Sequence, residues 1–236
     1  MTALPPAAYL PHLRTLTRAF AEGLRTGEPG APVPDCGGWT RADLGAHLGH
    51  VHRWAAEVVR TGEPRPQEFG NPPSADLPGW YAESASVLLD ALAEADPEAS
   101  CWHFGATART KAFWFRRQVH ETAVHLIDLT EAAELDPVIA ADGVSEVFEA
   151  ILPRIARRHA VPPLAAPITL RATDTGHSWT LVPGEPPALG EAEAVATVEA
   201  PARNLVLRLW KRTVAEPRIT GDEAVATAFL RAPLTP

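Results

Sequence analysis

A glutamate and a histidine four residues apart are the side chains of this sequence best placed to bind a metal ion together. They lie in residues 109–133, where the apolar spacing predicts one long helix. Side chains four apart on a helix project one above the other, so Glu121 and His125 can reach the same ion. Asp128 follows as a neighbour or outer partner. This spacing fits a metal site, but it also fits a solvated helix face with charge pairs.

A third candidate ligand lies on another predicted helix, residues 41–61. His47 sits within the apolar stripe of that helix. Burying an imidazole without a partner costs a few kcal/mol, so His47 is either a hydrogen-bonded core residue or a metal ligand. His50 lies about 60° from the stripe and is the alternative ligand, whereas His52 lies about 140° away and is expected to face solvent.

His120, His103 and both cysteines are not expected to be ligands of this site. His120 points about 100° away from Glu121 on the helix, and His103 belongs to a loop where a structural role or a place at the rim is expected. Cys36 and Cys101 lack the CxxC spacing of structural zinc sites. Both cysteines are therefore expected to be ordinary reduced thiols.

Composition narrows the possible partners. The 236 residues carry a net charge of −8, which argues against a nucleic-acid or anionic-membrane surface because such partners bind clustered Lys and Arg. No apolar run approaches the roughly 18 residues that span a bilayer, and the first residues lack the order of a signal peptide. These features predict a cytoplasmic protein.

Helical periodicity dominates the first 133 residues. It predicts four amphipathic helices, at residues 6–26, 41–61, 76–95 and 109–133. The connections between them, including the Pro-rich residues 63–73, are about 12 to 16 residues long and favour a four-helix bundle with long crossovers. A fifth helix, residues 142–160, is expected to be kinked or split by Pro153.

A Pro-rich run at residues 161–167 marks the predicted boundary between domains 1–160 and 161–236. Beyond it, alternating apolar and polar residues predict strands at 168–174, 177–183 and 194–200. A helix at 201–212, an edge segment at 217–220 and a last helix are predicted to complete this part of the chain. The last helix is expected to be capped by Thr220 with Glu223 as its partner. The predicted fold is mixed α and α/β, a helical bundle followed by a small α+β domain.

Three sequence patterns occur on these elements. They are W-T-x-A-D-L-x-x-H-L in the second helix, R-x-x-x-E-x-x-x-H-x-x-D in the fourth, and N-L-V-L-R-L-W-K-R followed by T-G-D-E-A near the end. Together they resemble the mycothiol-dependent maleylpyruvate isomerase family, and the resemblance covers nearly the whole chain. It implies an N-terminal DinB-like four-helix bundle and an isomerase-like C-terminal domain.

The resemblance also implies a site. It implies zinc, or another divalent metal, with the ligands His47, Glu121 and His125. It further implies Asp128 and Arg212 as catalytic residues, mycothiol as the thiol cosubstrate, and a small electrophilic, anionic substrate. With the Ala-, Pro- and Arg-rich composition, it favours an actinobacterial source.

One departure from the family bears on the substrate. Many relatives have an arginine and a tryptophan after the second histidine ligand, where this chain has Leu126 and Ile127. Loss of that cation changes the electrostatics beside the substrate, so maleylpyruvate itself becomes a less expected substrate.

Three protein ligands leave one metal position open, as in catalytic zinc sites. A thiol bound there would be deprotonated and could catalyse cis–trans isomerisation or S-transfer. Water bound there would instead favour hydrolysis, with Asp128 as the nearby base. A metal-binding or small-molecule-binding protein without turnover is the remaining alternative, because a fold does not fix an activity.

Overall fold

The computed structural model describes residues 3–67, 76–159 and 161–235. They form two units. The N-terminal unit holds the described residues of Leu4–His103 together with Ala108–Glu134, and the C-terminal unit holds Phe104–Thr107 and the described residues from Leu135 onward. Among the described residues, no helix is both long enough and apolar enough to cross a membrane.

The N-terminal unit is the predicted four-helix bundle. Its helices are α1 (Pro6–Thr26), α2 (Arg41–Thr61), α3 (Leu77–Ala93) and α4 (Ala112–Leu129). Helices α1 and α2 each pack on both α3 and α4. Their facing apolar stripes form the core, which includes the fully buried residues Leu13, Phe20, Leu44, Leu88 and Trp114. All four predicted helices are therefore confirmed; the Pro-rich connection at 63–73 lies partly outside the described residues.

The start of α2 is fixed by a capping box formed by Thr40 and Asp43. The Thr40 side chain accepts a hydrogen bond from the Asp43 backbone N–H, and the Asp43 carboxylate accepts one from the Thr40 N–H. These bonds satisfy donors that the first turn leaves unpaired. The cap fixes the helical phase of α2, and hence the direction in which His47 points.

Arg41 joins the ends of three bundle helices. Its guanidinium donates to the Gly23 carbonyl of α1 at 2.7 Å and to the Leu129 carbonyl of α4 at 2.5 Å. A cation is favoured there because the C-terminal end of a helix carries partial negative charge. A Cβ on Gly27 would lie 2.2 Å from this guanidinium, which explains why a glycine follows α1.

The fifth predicted helix is present but begins earlier than expected. Helix α5 (Pro137–Glu146) starts behind an Asp136 cap, passes through a π-helical turn (Val147–Ile151) and continues as α6 (Leu152–Ala156). The interruption was predicted, because Pro153 lacks the N–H that a regular helix requires. The start at 142 was wrong, since an Asp cap followed by proline begins a helix at residue 137.

The C-terminal unit contains a five-stranded sheet in the order β3-β2-β1-β4-β5. Its strands are β1 (Ile168–Ala172), β2 (Ser178–Val182), β3 (Ala188–Leu189), β4 (Ala196–Ala200) and β5 (Arg218–Gly221). Strands β1 and β4 are parallel, and the other neighbours are antiparallel. The predicted strands and edge segment are all present. Only β3 was missed, because two residues are too short to show an alternating pattern.

Helices α7 (Ala202–Leu209) and α8 (Glu223–Arg231) belong to the same unit as the sheet. Helix α5 packs on α7, and it belongs to the same unit as the sheet. The predicted division into domains 1–160 and 161–236 stays a prediction. The cap of α8 also differs from the prediction. The Asp222 side chain, not Thr220, accepts from the first turn, at the Val225 N–H.

Candidate metal centre

Three predicted ligands converge between α2 and α4. Single donor atoms of His47, Glu121 and His125 all lie within 4.8 Å of one another. The Nε2 atoms of His47 and His125 lie 3.7 Å and 3.5 Å from the same carboxylate oxygen, Glu121 Oε1. A tetrahedral zinc ion with bonds of about 2.0–2.1 Å needs donors about 3.3–3.5 Å apart. The distances from Glu121 to the two imidazoles are close to this spacing, and all three donor atoms lie near enough to share one ion.

The centre is reachable from solvent. The His47 side chain is 24% exposed, Glu121 is 17% exposed and His125 is 13% exposed. The two imidazole planes are nearly perpendicular, with centroids 5.3 Å apart. A group bound by these residues would thus be shielded on the protein side and open on the other, as an exchangeable ligand requires.

Asp128 orients one of the imidazoles. Its Oδ2 lies 2.9 Å from His125 Nδ1, and its side chain is only 1% exposed. A proton held on Nδ1 by this carboxylate leaves Nε2 to face Glu121 and a metal. The prediction that Asp128 neighbours the ligands therefore agrees with the geometry, and its catalytic role stays a prediction.

The charges of the centre are coupled. Burial lowers the pKa of His125, but hydrogen bonds with Asp128, Cys36 and Glu121 outweigh burial and raise this pKa well above its usual range. Burial also disfavours the charged form of Glu121 and so raises its pKa. Arg117 and the two histidines outweigh this effect and hold the pKa of Glu121 well below its usual range. Without a metal, Glu121 is therefore ionised and His125 protonated at neutral pH. A metal has to displace that proton to bind.

The loop before α2 supplies one wall of the centre. Cys36 donates from Sγ to Asp128 Oδ2 at 3.3 Å, and the Trp39 ring lies 4.8 Å from the His47 ring. The donor atoms of Cys36, His125 and Asp128 also form a second group within 4.8 Å. In that group Asp128 Oδ2 already contacts both neighbours, which makes Cys36 an outer partner of the centre. No spacing pattern in the sequence signals this contact.

Arg117, the arginine of the sequence pattern on α4, binds the carboxylate of Glu121. Its Nη2 donates a close hydrogen bond to Glu121 Oε2, and its side chain is only 4% exposed. The two residues are four apart on α4, a spacing that could have predicted the pair. Glu121 therefore presents one oxygen to the imidazoles and the other to a buried guanidinium.

Two further histidines of α2 lie outside the converging group. His50 packs against the Trp80 ring at 4.9 Å, and no donor group formed by the described residues includes it. The expectation that His52 faces solvent is wrong, because it is fully buried, with Nε2 3.1 Å from Thr122 Oγ1. Its ring lies 5.5 Å from the Tyr81 ring of α3, so packing of the neighbouring helices encloses it.

Two further histidines, His103 and His120, have structural settings. His103 is buried, stacks on Phe113 at 4.1 Å and bonds the Ala108 carbonyl at 2.7 Å, as a structural residue would. His120 is 3% exposed, and its ring meets that of Tyr9 at 6.4 Å. This placement agrees with the expectation that His120 is not a metal ligand.

Arg212 belongs to the C-terminal unit and lies beyond the helix that was predicted to end with it. Helix α7 ends at Leu209, and Lys211 adopts a left-handed φ of 63° that turns the chain. The Arg212 N–H then bonds the Leu207 carbonyl at 2.9 Å, and its Nη1 bonds the Trp210 carbonyl at 2.8 Å. These bonds form a helix-ending turn. The catalytic role of Arg212 stays a prediction.

Comparisons with known proteins agree on the family. Residues 10–130 match the model described as the mycothiol maleylpyruvate isomerase N-terminal domain. A crystal structure of the mycothiol-dependent maleylpyruvate isomerase is 17% identical with a TM-score of 0.67, covering 93% of this chain and 96% of that one. A histidine-to-alanine mutant of the same isomerase is 17% identical with a TM-score of 0.65, covering 92% and 99%. No curated protein sequence matches the chain.

The structural likeness at this identity shows a shared fold over almost the full length of both chains. The family match is the stronger statement, because it spans the bundle from α1 to the end of α4 and takes in all three converging side chains. Since that match covers just over half of the 236 residues, the chain belongs to the mycothiol maleylpyruvate isomerase N-terminal domain family.

Proposed function

We propose that this protein is a mycothiol-dependent isomerase that uses a divalent metal, zinc, to act on a small electrophilic, anionic substrate. The observation that carries the proposal is the convergence of His47, Glu121 and His125 within the region that matches the family. Two imidazoles and one carboxylate are a typical set for catalytic zinc. The same set also binds non-haem iron, so the metal is part of what must be measured.

The chain's own residues prepare this site for a metal and a thiol. Asp128 holds His125 with Nε2 toward Glu121, and Arg117 keeps Glu121 ionised. The partial exposure of His47 admits an external ligand. When bound, the metal would lower the pKa of a thiol and keep it as the reactive thiolate.

The thiolate chemistry distinguishes two outcomes. Addition of a thiolate to an electron-poor cis double bond forms a C–S bond, moves the π electron pair onto the electron-withdrawing group and leaves a carbon–carbon single bond that can rotate. Return of this electron pair restores the double bond in the trans form, breaks the C–S bond and regenerates the thiolate. If the anionic adduct instead takes a proton from water at carbon and is released as a thioether, the reaction is S-transfer. We propose isomerisation, because both solved relatives are described as isomerases.

Two further roles complete the proposal. Asp128 is proposed to orient His125 or the incoming thiol, and Arg212 to bind an anionic group of substrate or thiol through its guanidinium. A cytoplasmic location is part of the same proposal, because low-molecular-weight thiols are kept reduced there.

The test combines metal analysis with a thiol-dependent assay. The purified protein should contain about one zinc per chain, and it should convert a cis-alkene dicarboxylate such as maleylpyruvate or maleate only when mycothiol is supplied. NMR of the product separates a trans isomer formed without net loss of thiol from a thioether adduct. Conversion that depends on neither metal nor thiol would overturn the proposal, and a thioether product would replace isomerase by S-transferase.

A further inference from the structure

We infer that Arg117 is a positioning residue, which limits Glu121 to one metal-facing oxygen and makes the open position of the site selective for anionic ligands. The inference rests on the proposed metal site. Arg117 acts here through its contact with Glu121, not through the metal or the substrate.

The two oxygens of Glu121 have different partners. Oε1 lies 3.5 Å and 3.7 Å from the two imidazole Nε2 atoms, whereas Oε2 accepts from Arg117 Nη2. A carboxylate that turned both oxygens toward an ion would have to release this hydrogen bond. Arg117 is only 4% exposed, so releasing this bond would separate a buried guanidinium from a carboxylate, which is costly. The ion pair therefore holds Glu121 as a ligand that offers one oxygen.

The ion pair also sets the charge of the ligand group. Two neutral imidazoles contribute no charge to a bound ion, and the charge of Glu121 is compensated by the guanidinium of Arg117. A second carboxylate, Asp128, contacts Nδ1 of His125, the ring nitrogen opposite the one that faces Glu121. A divalent ion would therefore keep most of its positive charge toward the open position. That charge favours an anion such as a thiolate over a neutral ligand.

Cobalt(II) in place of zinc gives a visible spectrum that reports the number of ligands. We expect wild-type protein to show the strong absorption of a four-coordinate ion and to bind azide, a small anionic probe, at the open position. Arg117→Met should still bind about one cobalt per chain, but with the weaker absorption of a five-coordinate ion as Glu121 Oε2 joins. Its azide affinity should fall by about tenfold or more, the scale of outer-partner effects at metal sites.

A second variant separates the two parts of the inference and serves if Arg117→Met does not fold. Arg117→Gln keeps a hydrogen-bond donor for Oε2 but removes the charge. It should therefore retain the four-coordinate spectrum and lose azide affinity. Arg41→Met is the matched control, because Arg41 joins the ends of the same helices without touching Glu121. It should weaken the bundle while both cobalt properties stay unchanged.

The outcomes separate this inference from the proposed function. Wild-type protein that binds neither cobalt nor zinc would remove the metal site and this inference with it. Wild-type protein that binds cobalt, with the same spectrum and azide affinity in Arg117→Met, would overturn the role of Arg117 alone. Equal changes in Arg117→Met and Arg41→Met would also overturn it, since they would reflect general destabilisation.

Discussion

Two shielded histidines of the bundle, His125 in the metal centre and His52 in the core, are driven to opposite protonation states. Burial lowers the pKa of His52 to about 3, and the charge of Glu121 offsets only part of that effect. Burial acts in the same direction on His125, yet its pKa is raised well above the usual range. Burial alone therefore does not decide whether a histidine in this bundle is charged.

The difference lies in the partners. The Nε2 of His52 contacts a neutral hydroxyl, that of Thr122, which cannot stabilise an imidazolium as a carboxylate does. His125 lies between two carboxylates, Asp128 at 2.9 Å and Glu121 at 3.5 Å. The same carboxylates suit a metal once the proton leaves. The partner of His52 suits only the neutral imidazole. The carboxylates beside His125 can stabilise either a protonated imidazole or a metal ion bound to the neutral one.

The largest expected effect is the loss of bound metal when His125, but not His52, is replaced. His125→Ala should lose the metal while the helical content measured by circular dichroism stays nearly unchanged, because the side chain is partly exposed and the bundle core is elsewhere. His52→Gln should keep about one metal per chain. Full metal occupancy in His125→Ala by elemental analysis would remove it from the ligand set. Metal loss in His50→Ala but not in His47→Ala would shift the α2 ligand.

Removal of Asp128 tests whether a carboxylate partner makes the site histidine a good ligand. Asp128→Ala should lower metal affinity or activity about 10- to 100-fold, because His125 loses the group that orients its ring. Metal affinity is measured by competition with a chelator at fixed pH. Asp128→Asn is the matched variant, since its amide oxygen can still accept from Nδ1 and should recover part of the loss. Wild-type affinity and activity in Asp128→Ala would make Asp128 a bystander.

The core histidine should make the bundle sensitive to acid. Unfolded, His52 binds a proton near its ordinary pKa of about 6.5; folded, it does so only near pH 3. Between these values the unfolded state binds more protons, so stability is lost as pH falls through this window, by about 1.4 kcal/mol per pH unit. Urea unfolding between pH 6 and pH 4 should show this extra slope in wild type but not in His52→Gln.

A control for this measurement is available on the surface. His159 is exposed, and His159→Gln should keep the slope of the wild type. Parallel pH dependence of wild type and His52→Gln would contradict a neutral, buried His52.

The sequence predicted the centre better than its surroundings, for a physical reason. His47, Glu121 and His125 lie on regular helices, where residue spacing predicts the direction of each side chain: Glu121 and His125 on one side of their helix, and His47 on the apolar side of another. The same wheel failed for His52, because helices pack on more than one side of α2 and bury a flank that a single stripe leaves to solvent. Cys36 could not be placed, since loop residues have no periodicity that points a side chain.

The smallest expected effect belongs to that loop residue. The Cys36 thiol is a weak donor to Asp128 Oδ2 at 3.3 Å, while His125 Nδ1 contacts the same oxygen at 2.9 Å. Cys36→Ala should therefore reduce metal affinity much less than Asp128→Ala, by only a few-fold, and Cys36→Ser should restore it because a hydroxyl is a better donor. Chelator competition on the three variants orders these effects. A loss in Cys36→Ala as large as in Asp128→Ala, not rescued by serine, would instead make the sulfur itself a ligand, and the group of Cys36, His125 and Asp128 would then be the metal-binding one.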